Sequence, residues 1–234
     1  MPSQPRPAPA VVFFDIDGTL VRKSGPHHRQ ALESAVQRVT GLCATTDGIP
    51  VQGMLDLKIF EMMLRNAGAT PALIARAMPD LVREAQWLYR RRSPPSLRDK
   101  VCPGARSALR RLRRRGVPLG LVTGNLTAIG WRKLERAGLR HYFQFGAFAE
   151  RAGDRAGLLR VALAHARRRG WIGVRTRLWL IGDHENDVRA AQANAVNSVA
   201  VATGLSSAGD LASCSPTILL NSLTDLDLEV ILNS

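Results

Sequence analysis

A chain of 234 residues, 45% of them apolar, is long enough for one substantial core and a smaller inserted unit. Its longest apolar stretches, VVFF from Val11 and LGLV from Leu119, fall far short of the roughly 20 residues needed to span a bilayer, so neither a transmembrane helix nor a membrane partner is expected. The net charge of +14 keeps polyanion binding in view, while three well-separated cysteines, Cys43, Cys102 and Cys214, argue against a zinc site or a disulfide framework and fit a reducing cytoplasm.

Residues 1–10 carry prolines at positions 2, 5, 7 and 9 and no apolar h-region, so they read as a disordered tail rather than a signal peptide. Short β-type runs then recur at wide intervals, at residues 11–14, 119–122, 178–181, 198–201 and 217–220. Helical patterns lie between them, at residues 105–115, 128–137 and 155–169. This alternation predicts an α/β fold with a Rossmann-like parallel sheet, whose ligands bind beyond the carboxyl ends of the strands. Nothing strand-like separates Leu20 from Leu119. That gap instead shows helical spacing at residues 28–40 and 57–67, and at 71–92, which reads as two helices meeting near Pro79. The expected organisation is a core built from residues 11–21 and 99–234, with a helical domain inserted at residues 22–98.

The positive charge is clustered, with eleven Lys or Arg residues and one acid between Arg90 and Arg115. Ala105, Ala108, Leu109 and Leu112 fall at helical spacing and would place the arginines on the outer face of a helix closed by Gly116. A solvated helix face is therefore favoured over nucleic-acid binding, because few aromatics interleave with the basic run.

The chemistry gathers at the strand ends. After the first strand comes DIDGTL, placing Asp15 and Asp17 two positions apart beside Gly18. Paired carboxylates at the end of a buried strand call for a neutralising cation, and hard oxygen ligands suit Mg²⁺. One carboxylate can attack phosphorus while the other handles protons. The second strand ends in Thr123, Gly124 and Asn125, all suited to binding phosphate. Arg155 opens a later helix, and the strand at 178–181 runs into GDHEND, with Asp183 and Asp187 four apart.

In this order the motifs make the chain resemble a haloacid dehalogenase-like hydrolase of the phosphoglycolate phosphatase type. The resemblance implies that Asp15 is the nucleophile and a metal ligand, and that Asp17 is the general acid and base and binds metal through its main-chain carbonyl. It implies that Thr123 bonds a phosphate oxygen, that Asp183 binds the metal directly, and that Asp187 orders metal-bound water or the motif-three cation. That cation is normally a Lys, and Arg155 in GDRAGLL takes the place here, keeping the charge and offering a fork suited to phosphate. The inserted helices would be the family's mobile cap. Relatives often read G-x-T-D in the cap, where this chain has Gly53, Met54, Leu55 and Asp56. His27 and His28 read as exposed helix-start residues. The implied activity is Mg²⁺-dependent hydrolysis of a small phosphorylated metabolite through an aspartyl-phosphate. A phosphomutase, a dehalogenase or a regulatory protein using the basic surface are the alternatives.

Overall fold

The computed structural model describes residues 7–233. Six strands form one parallel sheet: β1 (Ala10–Phe14), β2 (Leu119–Val122), β3 (Phe145–Ala147), β4 (Arg177–Gly182), β5 (Asn197–Val201) and β6 (Ile218–Leu220), in the order β3-β2-β1-β4-β5-β6. Central β1 is apolar and buried throughout, as expected of a parallel strand covered on both faces. Its side chains alternate between two cores. Val11 and Phe13 join α6 (Arg155–Arg168) and α7 (Glu185–Gln192), while Val12 and Phe14 meet α4 (Ala105–Arg114) and α5 (Thr127–Ala137). Two short helices, α8 (Ala208–Ser213) and α9 (Leu228–Asn233), complete the layers.

The chain runs from β1 through β2 to β3, then returns to the other side of β1 to form β4. A crevice opens at such a reversal. Phe14 lies opposite both Leu121 and Ile181, so Asp15, Thr123 and Asp183 leave the sheet along one rim.

Between β1 and β2 lie α1 (His27–Thr40), α2 (Asp56–Asn66) and α3 (Pro71–Arg92). Ala31, Leu32, Ala35 and Val36 of α1 share a buried cluster with Ile74, Ala77, Leu81 and Leu88 of α3. The expected break near Pro79 does not occur, and α3 is a single helix of 22 residues. Pro79 and Ala75, whose carbonyl it leaves without an intrahelical donor, are both exposed, so water can satisfy that group while the opposite face stays packed.

Two further expectations change. Of the supposed tail, residues 1–6 lie outside the described residues, but Ala8 donates its N–H to Trp171 O at 2.9 Å and Ala10 already belongs to β1. The edge strand β3 was not read from the sequence, because three residues containing Gly146 offer no alternation to detect. Among the described residues no helix is long and apolar enough to cross a membrane.

The basic face of α4 is exposed as expected, yet several of its arginines also close chain ends. Arg106 donates to Ala137 O and Gly138 O at 2.8 and 3.2 Å, Arg111 to Leu226 O at 3.2 Å and Arg113 to His141 O at 3.2 Å. Part of the positive charge thus serves carbonyls left without donors where helices and turns end.

Candidate active site

Asp15 is the first residue beyond β1, fixed by its N–H donating to Ile181 O at 2.9 Å. Its carboxylate converges with those of Asp183 and Asp187, with oxygens of all three lying within 4.8 Å of one another and all three residues buried. Asp187 stands in the first turn of α7 and accepts the His184 N–H through Oδ2 at 3.3 Å, closing a capping box. Its Oδ1 is buried without a hydrogen-bond partner, 3.5 Å from Arg155 Nε. One side chain therefore both starts a helix and faces the site.

Arg155 sits at the start of α6, where Asp154 caps the helix by accepting the Gly157 N–H at 2.6 Å. Its guanidinium donates to Asp15 Oδ1 at 2.9 Å, to Val122 O at 3.1 Å and to Gly53 O at 3.4 Å. Arg155 thus stands against both Asp15 and Asp187.

The cradle around Asp183 depends on two glycines. A Cβ on Gly18, whose φ is +83°, would lie 2.0 Å from Asp183 Oδ2, and one on Gly204 would lie 1.7 Å from it. Thr19 donates its hydroxyl to Asp183 Oδ1 at 2.8 Å.

Asp17 stands apart from this group. Its side chain does not join the three converging carboxylates, and both its oxygens accept from Lys133 Nζ, at 2.7 and 2.6 Å, while Asn125 Nδ2 donates at 2.7 Å. Lys133 escaped the sequence reading because it lies between Arg132 and Glu135 and passes for a surface cation. A signal was present: Ile129, Lys133 and Ala137 follow one another at four-residue spacing on the buried stripe of α5.

Thr123 is buried, with its hydroxyl accepting from Asn125 Nδ2 at 2.8 Å. Both amide hydrogens of Asn125 are thereby committed within the protein, to Asp17 and Thr123. Gly124 meets the helical insert, since a Cβ there would lie 2.1 Å from Met54 O, and its carbonyl accepts the Asp56 N–H at 2.8 Å. Asp56 is buried and accepts the Leu126 N–H at 2.8 Å. His28 is not simply an exposed helix start, because it is part-buried and reaches both Asp56 and Lys133. A cavity of about 600 Å³ opens beside Asp15, lined by both the sheet and the insert.

The electrostatics separate two groups of acids. Burial pushes Asp183 well above the ordinary carboxylate range, and the like charges of Asp15 and Asp187 add to it. Burial likewise raises Asp187 to about 7 against the opposing pull of Arg155. Burial would raise Asp17 too, but the charge of Lys133 and the bonds from Lys133 and Asn125 outweigh it and hold the carboxyl below its usual value. Burial opposes the charge on Lys133, yet Asp17 keeps its pKa raised. Three buried carboxylates facing one guanidinium, with Asp187 Oδ1 unpartnered, suit a divalent hard cation.

The family model for haloacid dehalogenase-like hydrolases matches residues 9–194. The chain belongs to this hydrolase family. Among solved structures, a predicted phosphoglycolate phosphatase from Haemophilus somnus is 20% identical with a TM-score of 0.65, covering 94% of this chain and 96% of its own. A predicted phosphatase from Clostridium acetobutylicum is 18% identical with a TM-score of 0.67, covering 94% and 97%. The β-phosphoglucomutase of Clostridium difficile is 17% identical with a TM-score of 0.69, covering 94% of each chain. At these identities the likeness shows a shared fold. No curated protein matches the chain in sequence.

The raised pKa values in this haloacid dehalogenase-like chain have a measurable consequence. A carboxyl whose pKa is higher in the folded state stabilises the fold while protonated, so stability is lost as pH rises from the ordinary value of 3.8 towards about 7. In chelator, the Tm of the wild type relative to Asp187→Asn should fall by roughly 5 °C between pH 5 and pH 8. Mg²⁺ should close that gap, and a difference independent of both pH and Mg²⁺ would contradict the charge balance described.

Proposed function

We propose that the chain is a Mg²⁺-dependent phosphatase that hydrolyses a small phosphate monoester through an aspartyl-phosphate on Asp15. The observation carrying this reading is the convergence of Asp15, Asp183 and Asp187 beside Arg155, with Asp15, Asp183, Arg155 and the second motif-one acid, Asp17, lining one cavity.

Asp15, Asp183 and Asp187 would hold the cation, with the main-chain carbonyl of Asp17 as a further ligand. When bound there, Mg²⁺ supplies positive charge that polarises the phosphoryl oxygens. Arg155 keeps Asp15 oriented and adds a charge that cannot be lost by deprotonation. Thr123 lies across the crevice, where its hydroxyl serves a phosphoryl oxygen. In the first half-reaction an Asp15 oxygen bonds to phosphorus, the ester P–O bond breaks, and the leaving oxygen takes a proton that Asp17, ionised at rest, has first taken up from water. In the second, water bonds to phosphorus, the Asp15–phosphorus bond breaks, and Asp17 takes the water proton, releasing inorganic phosphate. The inserted helices act as a cap at residues 22–98, and their contact at Gly124 brings them within reach of the leaving group.

The purified protein should turn over p-nitrophenyl phosphate in Mg²⁺. Acid-quenched enzyme should carry one phosphoryl group on the peptide containing Asp15, read by mass spectrometry. Inactivity towards a broad panel of phosphate monoesters in saturating Mg²⁺ would discard the reading.

A further inference from the structure

Lys133 takes no part in the steps above, yet its surroundings are closely specified. The side chain is 1% exposed, and Nζ meets the carboxylate of Asp17 at 2.6 Å, Asn125 Oδ1 at 2.7 Å and His28 Nδ1 at 3.1 Å. An ammonium has three hydrogens, so each neighbour takes one and rotation would break a bond. With Nδ1 accepting, His28 carries its hydrogen on Nε2 and donates to Asp56 Oδ2 at 3.0 Å. With Oδ1 accepting, Asn125 must turn Nδ2 towards Asp17 and Thr123, at 2.7 and 2.8 Å.

Two members of this chain of bonds, His28 and Asp56, belong to helices of the insert, whereas Lys133, Asn125 and Asp17 belong to the sheet side. The insert therefore supplies one of the three acceptors that fix the ammonium. If the insert moves away, Lys133 loses that acceptor and its hold on Asp17 loosens.

Building on the phosphatase reading, we infer that Lys133 is a positioning residue for Asp17. It holds the carboxylate in the orientation that receives the proton of the attacking water, and His28 makes that hold depend on the place of the insert. In this half-reaction the water oxygen bonds to phosphorus, the bond to Asp15 breaks and the water proton moves to Asp17.

The test uses 2,4-dinitrophenyl phosphate, whose leaving group departs without needing a proton, so phosphorylation of Asp15 proceeds whatever the state of Asp17. In stopped flow, Lys133→Met should release about one equivalent of dinitrophenolate in a burst. Steady turnover should then be slower than wild type by on the order of tenfold to a hundredfold, with the phosphoenzyme accumulating. A lysine with a merely structural part would slow both phases together without accumulation, which overturns the inference. His28→Phe keeps an aromatic ring against Tyr89 but removes the acceptor, and should show a weaker burst. His28→Asn places an oxygen where Nδ1 was and should restore wild-type kinetics. If Lys133→Met does not fold, this pair decides the matter, and His28→Phe behaving as wild type counts against it. A wild type that neither turns over the ester nor forms a phosphoenzyme fails at the earlier step and overturns both readings, whereas active wild type with no burst in either variant overturns only this one.

Discussion

Asp15→Asn should abolish turnover of p-nitrophenyl phosphate in Mg²⁺, with a loss of at least about 10⁴-fold, because the reacting oxygen is replaced by a group that cannot form the acyl phosphate. The substitution is nearly isosteric and removes one of three mutually repelling carboxylates, so the fold should be kept. The N–H of residue 15 still reaches Ile181 O, and Arg155 still has Val122 O and Asp187 nearby. A kinetic assay with a melting curve on the same preparation separates chemistry from stability. A well-folded Asp15→Asn protein retaining even a hundredth of the wild-type rate would remove Asp15 from its role.

Arg155→Met should have the largest effect on stability. The guanidinium is buried against Asp15 and Asp187, and its removal leaves three buried carboxylates with no fixed counter-charge. Breaking a buried pair in this way costs on the order of 3–5 kcal/mol. In chelator the Tm should drop by roughly 10 °C. Mg²⁺ should recover much of that loss without restoring turnover, since Asp15 would no longer be oriented. Arg155→Lys keeps the charge but loses the fork, so it should melt near wild type and retain partial activity. The assignment does not survive an Arg155→Met protein with unchanged melting in chelator and unchanged turnover.

Much of this arrangement is written locally in the chain. The strands at 11–14, 119–122 and 178–181 are short runs rich in apolar residues, and each ends in polar residues, so both the sheet and the meeting of Asp15, Thr123 and Asp183 along one rim could be read directly. The approach of Arg155 to Asp15 follows from the same order of elements. What could not be read is how side chains choose partners across the insert. Lys133 finds Asp17, 116 residues away, only because α5 turns it inwards. His28 meets it from a helix belonging to the insert, and no local pattern encodes that meeting. Pro79 misled for a related reason: proline disrupts a helix when the freed carbonyl is buried, and the exposure of Ala75 is a property of packing.

The arginines of α4 bear on how this protein could be made less basic. Arg110 and Arg114 are exposed and have no hydrogen-bond partner among the described residues, whereas Arg106, Arg111 and Arg113 each bridge to a carbonyl on a distant segment. Lowering the isoelectric point by exchanging the first two for glutamine would trim only the surface field. The same exchange at the other three would unfasten the stitching between α4, the end of α5 and the segment before α9, so charge and architecture are separable in this helix one residue at a time.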